Sequence, residues 1–322
     1  MKKNWILFLL SAVLIFALTA CQPKPKESFT SAYINLLEAE TYEFSTDLDL
    51  NLNIPNLPDK DQKGIEGLNN SKITITGKTN TKTKETEITV KGKVKVKGKT
   101  MDLDIPVFID EQKQLGYLKL DGLAEHFGTL INHPNVKFDN FKGKFLEFPL
   151  HQDEATSEDK KEKLLKSLHD IINKLSDSKF KEESLKDQEK QQGTARKITL
   201  SLDDQEIKSV IEQIFNFYED HLGETFTKND LDDAFRHVTF KKSNWTVSLD
   251  DKENLLTQQT DFTMGIDTYK KPASFNIKAT TSFSNMNGEV KFNIKPEKQD
   301  IVTLFQLKTM VSAEIIRSRR GN

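Results

Sequence analysis

One thiol, six imidazoles and one dense acidic stretch are the groups in this chain that could do chemistry. The histidines are His126, His133, His151, His169, His221 and His237. None stands at a metal-ligand spacing such as H-E-x-x-H, and no second cysteine can complete a soft site. The segment Asn229-Asp230-Leu231-Asp232-Asp233 lacks the glycine and the distal glutamate of a calcium loop. Acids favoured by the dipole at a helix start account for it more simply. No nucleophile elbow, S-x-x-K, phosphate-binding glycine loop or dinucleotide fingerprint occurs. With no acid, base and nucleophile converging, the expectation is a protein that is not an enzyme and uses no cofactor or metal. Cys21 is left as the residue whose neighbours specify a reaction.

Lys2 and Lys3 precede an apolar run from Trp5 to Leu18, which ends in Leu18-Thr19-Ala20-Cys21. That run is shorter than the ~20 apolar residues of a spanning helix. The pattern resembles a bacterial lipoprotein signal peptide. The resemblance implies cleavage between Ala20 and Cys21 and a diacylglyceryl thioether on the Cys21 sulfur. It divides the chain into a signal peptide (1–20), a lipidated tether (21–28) and a folded part (29–322). The partner so implied is the cell membrane, reached through a covalent anchor on its extracytoplasmic face. Two acyl chains hold stably where one holds weakly. The tether contains Pro23 and Pro25, and in an extended form at ~3.1 Å per residue it reaches ~20 Å. Lys24 and Lys26 in it either touch anionic headgroups or keep it soluble.

With Cys21 acylated, no disulfide remains, so the domain must stand on its core alone. A chain of about 300 residues can do that, burying roughly three-quarters of its unfolded surface. The lack of disulfides and the Lys/Asn-rich composition point to a Gram-positive source. Of 47 Lys and Arg, two leave with residues 1–20, so 45 face 49 Asp and Glu. That near-balance argues against nucleic acid as a partner.

The elements that position these groups are read from periodicity. Phe29, Ala32, Tyr33, Leu36 and Leu37 recur at helical spacing behind Ser28 as N-cap. From Tyr42 to Ile54, apolar residues hold one parity and Glu43, Asp47, Asp49 and Asn51 the other, as in a sheet with one wet face. Pro55, Pro58, Gly64 and Gly67 then read as a long loop. Between Glu87 and Asp110 lies a hairpin in which Gly98-Lys99 suits a two-residue turn. That turn places Val96 opposite Met101, Val94 opposite Leu103 and Lys93 opposite Asp104. The pairing explains the alternating lysines, which otherwise would form a basic stripe for an anionic polymer. Strands are expected at 115–120 and 144–150, a short helix at 124–131, and a long amphipathic helix through Leu164, Leu168 and Ile172. Residues 176–192 read as an exposed polar connection. A strand at 196–202 precedes a helix opened by the capping pair Asp203 and Glu206. Strands follow at 237–249, 255–266, 273–283 and 289–294, then a helix from about Gln299.

This order gives the expected fold class: α+β, a large curved antiparallel sheet, an open half-barrel with helices packed on its apolar face. One domain covers 29–322, or two halves at about 29–150 and 195–310. The apolar parity collects Phe44, Leu48, Leu50, Val90, Val94, Leu103, Ile105, Trp245, Phe262, Met264, Phe275 and Ile277. These residues either fill a core under helices or line a space for an apolar ligand.

The whole plan resembles the LolA-like and LppX-like lipoprotein superfamily: a helix running into a very long alternating strand, hairpins, an amphipathic helix and a second strand block. The stretch from Trp245 to Leu255 is similar to that group's strand–acidic turn–strand. The resemblance implies an unclosed barrel that holds an apolar guest, a lipid, against a helical lid. Residues 153–163 and 176–192 are additions to the plan, and the two-chain anchor departs from soluble carriers. The alternative is a surface lipoprotein that binds another envelope protein through its wet face or through the 55–70 loop.

Overall fold

The computed structural model describes residues 23–320, except 56, 70, 97–98, 125–127, 129–130, 132–135, 151–156, 223–226 and 268–271. Cys21 and the segment 1–20 lie outside the described residues. So do His126, His133 and His151.

A sheet of twelve strands holds the molecule together, in the order β12-β6-β5-β4-β3-β2-β1-β11-β10-β9-β8-β7. Two meanders make it. The first runs through β1 (Thr41–Asn53), β2 (Ile73–Asn80), β3 (Glu85–Val96), β4 (Lys99–Asp110), β5 (Leu115–Lys119) and β6 (Phe145–Pro149). The second runs through β7 (Phe180–Glu182), β8 (Arg196–Ser201), β9 (Val238–Leu249), β10 (Leu255–Ile266) and β11 (Ala273–Ser284). They join where β1 pairs with β11, Leu50 opposite Ile277. The edges β12 (Ile301–Val302) and β7 do not meet, so the curved sheet stays unclosed. Every pairing is antiparallel except β12 with β6. Eight helices among the described residues complete an α+β fold, the expected class.

Helix α1 (Pro25–Glu38) starts earlier than the sequence suggests. Proline suits the first helical turn because its missing N–H would be an orphan there. Lys24 rather than Ser28 is the N-cap, and Ser28 is buried inside the helix. Residues 25–28 are therefore helix and not extended tether.

The segment read as a loop after Pro55 contains α2 (Asp59–Asn69). Gly64 and Gly67 only weaken a helix, and Pro58 stands before its start. Asn69 closes it onto the sheet: its amide accepts from Leu52 N at 2.7 Å and donates to Leu52 O at 2.8 Å, as a neighbouring strand would. Helix α3 (Asp121–Ala124) follows β5. Helix α4 (Ser157–Lys174) is the expected amphipathic one. The connection 176–192 is not wholly exposed, because β7 buries Phe180 and α5 (Asp187–Gln191) follows it.

Helix α6 (Asp204–Leu222) opens on the expected capping pair. Asp203 N donates to Glu206 Oε2 and Glu206 N to Asp203 Oδ1, both at 3.0 Å. Helix α7 (Lys228–His237) has Thr227 as N-cap, bonded to Asp230, so that acidic cluster holds a helix start. The last helix, α8, begins at Leu304 and runs to Arg320, leaving Ile301 in β12.

In the β3–β4 hairpin Val94 faces Met101, Gly92 faces Leu103 and Lys93 faces Asp102. The pairing is thus two residues away from the one that a Gly98-Lys99 turn gives. A shift of two leaves every side chain on its own face, so patterning alone cannot detect it. Residues 289–294 form no strand. They cross the polar face as a strap: Glu87 Oε2 accepts from Asn293 N and from Ile294 N, and the Phe292 ring meets Phe108 edge-on at 5.6 Å.

Candidate apolar ligand face

Cross-strand partners share a face, so the registers fix which residues stand together. On one face Leu50 lies opposite Ile277 and Ile277 opposite Phe262. Leu52 lies opposite Phe275, and Phe275 opposite Met264. In the other direction Leu48 meets Ile73, Ile75 meets Val90 and Val90 meets Ile105. Phe44, Leu103 and Trp245 belong to the same face through Gly77, Gly92 and Thr260. The side chain of Val94 lies outside the described residues. The pairings therefore bring the other eleven candidate lining residues onto one side of one sheet.

Helices cover the two ends of this side. At one end Phe29 and Ala32 of α1, Ile172 of α4 and Ile207 of α6 bury Phe180, Ile198, Leu200, Val247 and Leu249. At the other end α3 and α8 close over Leu120, Phe138, Phe141 and Val302. A third cluster, around Phe108, Tyr117 and Phe145, lies on the opposite face under the strap.

Between the covered ends the apolar side is only half-buried. None of the buried residues in the three clusters comes from β1, β2, β3 or β11. Phe44, Leu48, Leu50, Val90, Leu103, Ile105, Phe275 and Ile277 are all of intermediate exposure. Trp245, Phe262 and Met264 are also half-buried, but they pack against the α1–α4–α6 end. Among the described residues, this part of the dry surface is thus not a sealed core. It is an apolar floor between helical flanks.

The chemistry of that floor is uniform. Among the described residues of β3, β2, β1, β11 and β10, none on this parity carries a charge, and in β4 the charged residue on it is Lys99, at the hairpin end opposite Val96. Its polar groups satisfy one another: Thr46 and Thr281 share a hydrogen bond of 2.9 Å, and Tyr33 of α1 donates to Gln258 at 2.8 Å. Burial pushes the Tyr33 phenol far above its ordinary value, so it remains a neutral donor. The Phe44 ring lies over Gly77 and the Phe148 ring over Gly116, each where a β-carbon would stand. Glycine here lets an aromatic ring lie flat on the sheet.

A cavity of about 230 Å³ opens on the other face, among Glu43, Ser45, Lys78, Glu87, Ser282 and Ser284. Phe44 and Gly77 also contribute to its lining. Of the histidines, His169 bonds Asn173 at 2.9 Å, and His237 ends α7. No group of three His, Cys, Asp or Glu could hold a metal ion among the described residues. No helix among them is long and apolar enough to cross a membrane.

One side chain of consequence escaped the sequence reading. Arg196 is buried, on the inward parity with Ile198 and Leu200. An arginine on the apolar parity of a strand was the available signal, because such a charge must be paired. Its partners are Glu182, Ser28 and the carbonyl of Pro23. Lys26 is similarly committed: its ammonium caps the end of α4 through Asn173 O at 3.1 Å and Leu175 O at 2.6 Å. Lys24 reaches Asp177 at 3.3 Å. Both lysines thus have protein partners in the folded chain.

Strand order and face define an α+β protein built on an open, one-sided sheet. No family model matches the chain, and no curated protein matches it. Among solved structures, the crystal structure of Mycobacterium tuberculosis lipoprotein LppX is similar at 10% identity and a TM-score of 0.33, covering 84% of this chain and 98% of that one. The fold assignment rests on the strand order itself.

Proposed function

We propose that this protein is a non-catalytic lipoprotein of the extracytoplasmic membrane face, anchored through acylated Cys21, that takes a lipid or other apolar chain on its open sheet. The observation that carries the reading is the charge-free, half-exposed floor of Leu48, Leu50, Val90, Ile105, Phe275 and Ile277 between two helix-covered ends. Taking up an acyl chain needs no nucleophile. Each buried methylene recovers about 0.8 kcal/mol, which offsets the cost of leaving the bilayer. Residues 1–20 are the signal segment in this reading, and the folded part begins almost at once after Cys21.

The test is native mass spectrometry of the protein purified from its own membranes, with Leu50→Asp and Ile277→Asp as variants. Bound lipid in the parent and its loss in both variants, with circular dichroism unchanged, supports the proposal. Lipid-free parent protein, or variants that keep the lipid, sinks it.

A second reading, docking of another envelope protein, is favoured by α8. Leu304 and Phe305 at its start are 56% and 79% exposed. Under this reading Phe305→Ser abolishes recovery of a membrane partner, while the sheet-face variants do not.

A further inference from the structure

Between Pro23 and Asn35 the chain is tied at several points to the sheet and to the end of α4. Pro23 O accepts from Arg196 Nη1 at 3.0 Å, and the same nitrogen bonds Ser28 Oγ. Ser28 in turn donates to Glu253, in the turn between β9 and β10. Asn35 donates to Lys252 O at 3.3 Å and to Glu253 O at 3.2 Å. Lys24 and Lys26 tie the first turn of α1 to Asp177 and to the end of α4. One residue, Gln22, separates Cys21 from Pro23. Two residues fully extended span only about 7 Å.

Resting on the reading of Cys21 as the anchored residue, we infer that the domain has no flexible stalk and stands directly on the lipid surface. Its lipid-facing surface is the end of the sheet formed by the β9–β10 turn, residues 250–254, and the β7–β8 connection, residues 183–195. Leu249 pairs with Arg196, which puts both segments at one end. Exposed Asp251, Lys252, Asp187 and Lys190 there are of mixed sign, so the short link rather than charge attraction imposes the contact. Strand β10 leads away from that end over 12 residues. At ~3.3 Å per residue it carries Asp267 roughly 40 Å from the turn.

The experiment uses the full lipidated chain in phosphatidylcholine–phosphatidylglycerol vesicles containing a headgroup-linked acceptor dye. A donor dye is placed on Asp251→Cys or on Asp267→Cys. The acylated Cys21 does not react, so each protein carries one label. Strong energy transfer from position 251, weak transfer from 267, and loss of the difference when twelve Gly/Ser residues are inserted between Gln22 and Pro23 are expected. Equal transfer from both positions, or no response to the insertion, in protein whose intact mass includes the diacylglyceryl group overturns the stalkless placement alone. An intact mass without that group overturns the placement and the anchored reading together.

Discussion

Arg196 grips Glu182 with two prongs, Nε to Oε1 at 3.0 Å and Nη2 to Oε2 at 2.6 Å. The guanidinium side chain is 9% exposed, so its third nitrogen is spent inside the protein, on Pro23 and Ser28. Planar, two-pronged pairing is what arginine does and lysine cannot. One side chain thus links the N-terminal helix, the β7–β8 edge and the β9–β10 turn.

Replacement of Arg196 by Met leaves Glu182 without its partner and frees Pro23. Hydrogen bonds to charged groups are worth about 1.5–3 kcal/mol, and a loss of about 2–3 kcal/mol in urea unfolding is expected. Arg196→Lys recovers only a small part of it, because a point charge cannot span both carboxylate oxygens. Full rescue by lysine would refute the two-pronged account.

The same pair makes stability acid-sensitive. The hydrogen bond from Arg196 holds the Glu182 carboxyl below the usual glutamate value, against the opposing effect of burial. A depressed folded-state pKa gives stability that is fully present above the unfolded value, about 4.3, and is lost as pH falls through the folded value. Asp204 acts in the same direction, chiefly because Phe240 N donates to it. Urea midpoints measured from pH 7 down to pH 3 should fall less steeply in Glu182→Gln than in the parent. Parallel curves would exclude the contribution.

Two glycines distinguish close approach from idle flexibility. A β-carbon on Gly122 would stand 1.8 Å from Asp104 O, where α3 meets β4. Backbone cannot step aside cheaply, so Gly122→Ala is expected to cost about 3 kcal/mol or more. Gly64, inside α2, has nothing within 4 Å. Gly64→Ala should stabilise by about 0.5–1 kcal/mol, the helix-propensity difference. Thermal melts of the two variants check both signs.

The register of the β3–β4 hairpin is open to a direct check. Lys93 and Asp102 are opposite neighbours, with an exposed ion pair at 3.6 Å. A cysteine pair at 93 and 102 should oxidise readily, whereas a pair at 95 and 102 should not. Alanine at either position of the ion pair should change stability by less than about 0.5 kcal/mol, since exposed pairs are worth little. Preferred closure of 95 with 102 would restore the turn at Gly98-Lys99.

Much of the fold was legible because strand alternation is local. Leu48, Leu50 and Leu52 against Asp47, Asp49 and Asn51 declare a wet side and a dry side before any partner is known. The capping pair Asp203 and Glu206 was legible for the same reason, its partners being three residues apart. The missed elements depend on distant contacts. Helix α2 contains two glycines, so its docking through Asn69 to Leu52 outweighs a weak local signal. Phe292 and Ile294 alternate like a strand, but they find the outer face of β3 and β4 as a strap.

By itself the sequence determined which residues share a face, since side-chain direction follows from a period of two along the chain. It determined, too, that the dry parity of β1, β2, β3, β10 and β11 carries no charge. Tertiary structure alone decided how much of that face the helices cover, leaving Leu50 and Ile277 half-exposed while Val247 and Leu249 are buried. It alone decided the hairpin register and the fastening of Pro23 by Arg196. The physical reason is the same in each case. Periodicity constrains direction, whereas coverage, register and long-range pairing depend on which distant surface arrives, and a displacement by two residues leaves the local pattern unchanged.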